Sequence, residues 1–507
     1  MMSYLTRGSA MALVLSCTAH GALADVAAQD VWTDWQGYLS AAGYQITASE
    51  SMTGGTLTVS DLSMALQLPE DQGTVSILLD QLQFAENGDG TVNVVMPPQM
   101  PITFDVTDGE EDVTAVIGLT QSGAAMVVSG APDDMTYAYT SANIGVRMDS
   151  LTVDGDSMPP EALRMTMALN NVISSTHMRL SDMRSYEQSM TATSLTYDLA
   201  FDDPESEDAA TFRGDLQKLG FAGSGSVPLE MDASDLPRML DSGFGFDGRF
   251  TYASGTGNMS GTGDGEQFAM RTASQGGVLS VAMDAAHLAY EVSQNQSDIT
   301  METAELPFPI AIAMQKMAFA LNMPIAKSDA QQPFAFGLTI ADFTMPEQLW
   351  GIFDPGAILP RDPATIIVDL SGKLKLLADL LDPAIAETIE SSDTPPGELH
   401  ALTINALRVL AAGAELTGTG DFTFDNTDME SFDGIPAPAG TAKLKLVGAN
   451  GLIDKLIQMG VMSDGDATGA RMMMGMMAVP GGAPDTLNST IEINDQGHIL
   501  ANGQRLK

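Results

Sequence analysis

Between Thr56 and Leu68 apolar and polar residues alternate, and the alternation shifts phase once. Leu57 and Val59 hold odd positions; Leu62, Met64, Leu66 and Leu68 hold even ones. The same form, two alternating apolar residues, a slip and two more, recurs at Ile77, Leu79, Leu82, Phe84 and at Val146, Met148, Leu151, Val153. It returns at Ile299, Met301, Ala304, Leu306, at Leu338, Ile340, Phe343, Met345 and at Leu402, Ile404, Leu407, Val409. Period two marks a strand with one buried face. A one-residue slip throws every side chain to the other face, so each slip predicts a bulge, a bend or a change of strand. Asp61, Asp80, Asp149 and Asp342 fall in slips, where Asp serves a turn. A chain that is 44% apolar produces the form about twice by chance. The recurrence therefore predicts many twisted strands and not a sequence repeat.

Turn chemistry separates these strands. Asn87-Gly88-Asp89-Gly90, Asp154-Gly155-Asp156, Gly263-Asp264-Gly265 and Asp495-Gln496-Gly497 read as hairpins. Gly255 to Gly265 is a thin strand or a loop, and Asp202 to Asp208 an acidic loop. Ser391 to Gly397, with Pro395-Pro396, is the linker candidate. Helices are few. Val31, Trp32, Trp35, Tyr38 and Leu39 recur at three- and four-residue steps before Gly43, predicting a helix near 27–43 that docks on the core. Further helices are expected near 372–382, around Leu374 to Leu381, and near 450–477. The expected organisation is a signal over residues 1–24, a β-rich region over 25–390 with an N-terminal helix, and a C-terminal β-rich region over 398–507 with helices near 450–477. The fold class is mainly β: long twisted antiparallel sheets with a few short helices.

One segment carries a candidate site. From Phe308 to Ala326 large residues take alternate positions: Phe308, Ile310, Ile312 and Met314, then Met317, Phe319 and Leu321. Those between are mostly Ala, and Gln315-Lys316 interrupts the run. This is strand geometry with one bulky face, not a membrane span. That face either packs against the helices or holds an apolar ligand such as a lipid acyl chain. Each CH₂ removed from water is worth ~0.8 kcal/mol, so binding needs no polar motif. Met, at 34 residues, fills irregular cores and also lines adaptable apolar surfaces.

Charge and the N-terminus set the compartment. Against 66 Asp+Glu stand only 22 Lys+Arg, a net charge of −44. Nucleic acid is excluded as a partner, since phosphate binding needs a basic surface. Arg7, the apolar Ala10 to Leu15 and the small-x-small Ala22-Leu23-Ala24 read as a secretory signal cleaved before Asp25. The expected location is the periplasm. Cys17 is the single cysteine; it leaves with the signal, or anchors a lipoprotein if Val14-Leu15-Ser16-Cys17 acts as a lipobox.

Catalytic chemistry is not legible. His177, His287, His400 and His498 stand far apart without metal-ligand spacing. There is no nucleophile elbow, P-loop or dinucleotide fingerprint. Asp154/Asp156 and Asp464/Asp466 lack the ligand set of a calcium loop. No cofactor, no metal and no enzymatic activity are expected. The expected partners are a lipid or other apolar ligand, or envelope proteins.

Trp350-Gly351-Ile352-Phe353-Asp354-Pro355 with Leu359-Pro360-Arg361-Asp362-Pro363, Ala412 to Phe422, Gly448-Ala449-Asn450-Gly451-Leu452 and Ala501-Asn502-Gly503-Gln504 resemble secreted alphaproteobacterial proteins of a domain-of-unknown-function family. Asp30-Val31-Trp32 with Trp35 resembles the same family, which supplies no residue roles. More loosely, the strand-rich pattern resembles the YdgA and AsmA-like envelope proteins. That likeness implies curved sheets with an apolar groove and a part in lipid traffic or envelope homeostasis. A retained N-terminal anchor, which AsmA-like proteins carry, is missing from the pattern.

Overall fold

The computed structural model describes residues 25–506 except 69–72, 109–110, 161, 204–205, 231–234 and 383–394. The expected secretory signal and Cys17 lie outside the described residues, as do parts of the acidic loop and of the linker candidate. The described chain forms one antiparallel sheet of 27 strands and five short helices. The strands Ala364–Leu376 and Gly397–Ala411, on either side of the linker candidate, pair directly.

The predicted N-terminal helix is α1, Ala28–Ala41. The Asp30 carboxylate accepts from the Ala27 amide at 2.9 Å, and Gly43 with φ 91° follows its end. α2 (Leu236–Asp241) and α3 (Glu347–Phe353) are single or double turns that period counting does not resolve. The expected C-terminal helices are α4 (Ala449–Gln458) and α5 (Asp464–Met477), the latter capped by Ser463. The helix expected near 372–382 is absent. The strand Ala364–Leu376 runs through Leu374, and bends and turns follow to Leu381. Its leucines align with the partner strand, Leu374 opposite Leu399, so ladder pairing overrides a run that is apolar enough for either structure. The hairpin signals hold: Asp154-Gly155 and Asp264-Gly265 take paired left-handed conformations, φ 51° and 80°, then 51° and 77°.

The phase slip after Val59 is matched on its partner strand, whereas those at Asp149 and Asn405 are one-sided bulges. Asp61 lies opposite Asp80, because Ser60 pairs with Gln81 and Leu62 with Leu79. Leu57, Val59, Leu62 and Met64 are consequently all buried. The extra residue absorbs the phase shift and keeps the apolar side on one face. Elsewhere the same break passes from strand to strand. Asn171 faces Ala142 and Thr193, and Thr193 faces Lys218. Lys218 faces Ala253, where one strand ends and the next begins. Gln275 faces Gln296, Gln296 faces Gln315, and Gln315 faces Asp342. Asn171, Lys218, Gln296 and Asp342 all have φ near +50°. A continuous crease thus crosses the sheet at mid-strand.

The core sits at the N-terminal end. Val31 and Trp32 of α1 are fully buried against Leu57, Val59, Phe84 and Val92. Burying an indole of this size contributes roughly 4–6 kcal/mol at 25 cal/mol/Å². Further along, a second cluster comprises only Val172, Ala192 and Leu219 as buried residues.

Candidate functional site

Directly opposed residues of antiparallel strands share a face. Following one register row gives Tyr137, Thr176, Gln188, Gly223, Gly248, Val281, Tyr290, Leu321, Phe336 and Leu370. The next row on the same face includes Phe221, Phe250, Leu279, Val292, Phe319, Leu338 and Val368. The apolar members from Val281 and Leu279 onward are half-buried or, at Leu279, exposed. Rows on the reverse face are polar, as in His177, Glu187, Ser224 and Asp247.

The sequence-derived residues lie here. Ile310, Ile312, Met314, Met317, Phe319 and Leu321 belong to the strand Ile310–Pro324, and Phe308 to the preceding loop. Gln315, opposite Gln296, is the break in their alternation. Alternation on each side of it, with one extra residue between, keeps Met314 and Met317 on a common face. All are half-buried except Met317, which is exposed. Phe319 meets the Phe336 ring edge-on at 5.8 Å and Tyr290 at 6.1 Å.

The same face leads to a chamber that local pattern does not disclose. Beneath α1 lies a cavity of about 660 Å³, walled by Trp35 and Leu39 from the helix and by Leu62, Leu79, Met100 and Met178 from the sheet. Its lining also includes Tyr137, Thr176 and Gln188, the start of the first register row above. Leu79 and Leu82 of the wall lie on either side of the Asp61–Asp80 break. The size suits a small ligand or a single hydrocarbon chain. The helix therefore does dock on the core, through Trp32, and its aromatic neighbours also form the chamber wall. Sequence reasoning gave these aromatics only the first role; α1 and eight strands meet here, which periodicity cannot reveal.

The chamber has one charged corner. Arg184 Nη2 lies 2.6 Å from Asp34 Oδ1 and donates to the Asp34 main-chain oxygen at 3.3 Å. Asp34 Oδ1 receives no directed hydrogen bond, so this contact is one of charge. Asp34 Oδ2 accepts from the Tyr137 hydroxyl at 2.8 Å. Burial first, then the Asp34 carboxylate, push the Tyr137 phenol far above its ordinary range, so it stays a donor. The Arg184 guanidinium also lies over the Tyr38 ring at 5.2 Å. Trp32 Nε1 donates to Glu50 at 2.7 Å and fixes the helix rotation.

Other polar clusters close on themselves. On the polar face, a cleft of about 530 Å³ contains His177 and His287. His177 Nε2 meets Asp134 at 2.5 Å and Nδ1 meets Arg179 at 3.3 Å, so both ring nitrogens have partners within the cluster. Asp354 accepts from the amides of Ile358 and Leu359 and from Arg361, which stacks on Trp350 at 4.5 Å. Burial opposes its charge, but these donors hold it below the usual carboxylate range. Asp485 likewise accepts from the Gly451 and Asn450 amides at the start of α4. The strings at 350–363 and 448–452 thus build structural clasps. Among the described residues no three His, Cys, Asp or Glu gather as a metal site, and no helix is long and apolar enough to cross a membrane.

No curated protein and no solved structure matches this chain. Residues 244–501, half of the chain, match a family described as an uncharacterised protein conserved in bacteria, DUF2125. The match covers Trp350 to Pro363 and the half-open apolar face; the chamber beneath α1 precedes it. The chain belongs to the DUF2125 family of conserved bacterial proteins.

Proposed function

We propose that this protein is a non-catalytic, periplasmic binder of an apolar ligand, a lipid acyl chain, acting in cell-envelope homeostasis. The observation that carries the reading is the half-open apolar face from Val281 to Phe319 and Leu321, whose register row runs through Gly248, Gly223, Gln188 and Thr176 to the chamber. Apolar surface left in water is costly, and covering it with acyl methylenes recovers ~0.8 kcal/mol each. The secretory pattern ending at Ala24 supports the location, and a single long antiparallel sheet is the kind of architecture the looser AsmA-like resemblance implies, an analogy of shape alone. Envelope-purified protein should begin at Asp25 by intact mass; a diacylated species starting at Cys17 would replace this with a lipoprotein. Native mass spectrometry after purification should show co-bound lipid. Ile312→Asp and Phe319→Asp, if folded, should lose an acyl-chain probe. A protein that carries no lipid and binds no probe would end the reading.

A second reading, an envelope assembly partner, is favoured by α5, whose Met472, Met473 and Met476 are exposed by 51–65%. Crosslinking in cells separates the two: a stable protein complex through α5 supports it, and lipid without a protein partner supports the first.

A further inference from the structure

We propose that the chamber beneath α1 holds one acyl chain whose head offers Arg184 an uncharged hydrogen-bond acceptor, the ester carbonyl of an acylglycerol. This rests on the apolar-ligand reading and adds where the chain ends and what reads its head. Three observations converge on Arg184. It lines the 660 Å³ chamber, and it also lines a second cavity of about 430 Å³ on the far side of α1, so it stands at a boundary between hydrocarbon space and an opening. It is 9% exposed, yet among the described residues it hydrogen-bonds only through Nη2. A guanidinium has five N–H donors, so its Nη1 and Nε hydrogens are left for an acceptor. Among the described residues neither nitrogen is a buried atom without a partner, so both reach accessible space, where a ligand carbonyl can meet them.

Charge selects the head. The positive charge of Arg184 is already matched by Asp34 at 2.6 Å, and the chain as a whole carries −44. A carboxylate or phosphate would add an unmatched negative charge in a site screened from water. A carbonyl accepts the same hydrogen bonds without adding charge. The walls beyond the corner, Leu62, Leu79, Met100 and Met126, offer only hydrocarbon and thioether to the chain. Methionine flexibility lets such a space take chains of different length.

The tryptophans provide a local readout. Trp32 and Trp35 line the chamber, and the remaining one, Trp350, stacks on Arg361. In full-length mature protein carrying Trp350→Phe, a dibromostearoyl monoglyceride should quench the indole emission saturably at one per chain. Dibromostearate at neutral pH should bind about tenfold more weakly. Arg184→Lys, which keeps the charge and loses the planar fork, should weaken the monoglyceride about tenfold. Met100→Phe, which narrows the space without touching the ion pair, should weaken both probes. Monoglyceride bound by native mass spectrometry without quenching would overturn the chamber assignment and leave the open-face reading standing. Quenching in which carboxylate and ester bind equally would overturn the role of Arg184. Absence of any bound probe would overturn the apolar-ligand reading itself.

Discussion

Arg184 reaches back across 150 residues to Asp34, closing α1 onto the strand Met183–Asp202 with Nη2 2.6 Å from Oδ1. Both side chains are largely buried, at 11% and 6% exposure, so each is the other's main compensation for lost water. Removing one leaves an uncompensated charge. Arg184→Ala should therefore cost about 3–5 kcal/mol, far more than an exposed pair. The double variant Asp34→Asn with Arg184→Met should recover much of that loss. Urea unfolding of the set decides it; a loss below about 1 kcal/mol for Arg184→Ala would show that the corner is wet.

Trp32 and Trp35 share a helix but not an energy. Both line the chamber, but Trp32 is fully buried against Phe84, at a ring distance of 5.8 Å, whereas Trp35 is half-buried. Trp32→Ala should cost about 3–5 kcal/mol, and Trp35→Ala clearly less, because less of that side chain leaves water on folding. Thermal unfolding followed by far-UV circular dichroism would compare them. Equal losses would mean that the chamber is packed in solution.

Stability should fall in acid through two clasps. Asp354 and Asp485 are held below their ordinary values in the folded chain by the donors around them. A carboxyl depressed on folding contributes stability that is full above its unfolded value, about 3.9, and disappears as pH drops through its folded value. Unfolding midpoints should therefore be level near neutrality and decline below about pH 4. Asp354→Asn should be less stable at pH 7, with a shallower decline. An unchanged acid limb in that variant would remove Asp354 from the account.

The crease makes a conformational demand at Gln296, where φ is 47° in the middle of a long strand. A left-handed non-glycine residue costs about 1–3 kcal/mol. Gln296→Gly should be neutral or stabilising by up to about 1 kcal/mol, since relief of that strain is offset by the greater freedom of glycine when unfolded. Gln296→Val should destabilise by about 1–2 kcal/mol, because a branched side chain tolerates that conformation poorly. Chemical denaturation would rank the two, and Val stabler than Gly would contradict the backbone geometry.

Strand content, hairpins and α1 were legible because they are local: alternation around Leu57, Asp-Gly pairs at 154–155 and 264–265, helical spacing from Val31 to Leu39. Even the crease left a local trace in the phase slip at Asp342. Leu374 to Leu381 misled because a short apolar run does not distinguish helix from strand, and its pairing with residues near Leu399 decided the matter. The strand holding Ile310 to Leu321 could be read from its own alternation. The chamber could not, since Trp35, Leu79, Met100, Met178 and Arg184 become neighbours only through register. The same holds for Asp34, one of many carboxylates until Arg184 is placed beside it.

The matched breaks in neighbouring strands also constrain how this chain can change length. Losing Gln296 alone would turn Ile299 and Met301 toward the polar side of the sheet, while their partners Ile312 and Ile310 stayed where they are. Losing Gln296 together with Gln315 would restore agreement between those two strands and pass the mismatch to Gln275 and Asp342. Insertions and deletions near the crease are thus inherited in company or not at all. Hairpin tips such as Asp154-Gly155 carry no such obligation, and there single-residue changes in length should accumulate freely between relatives.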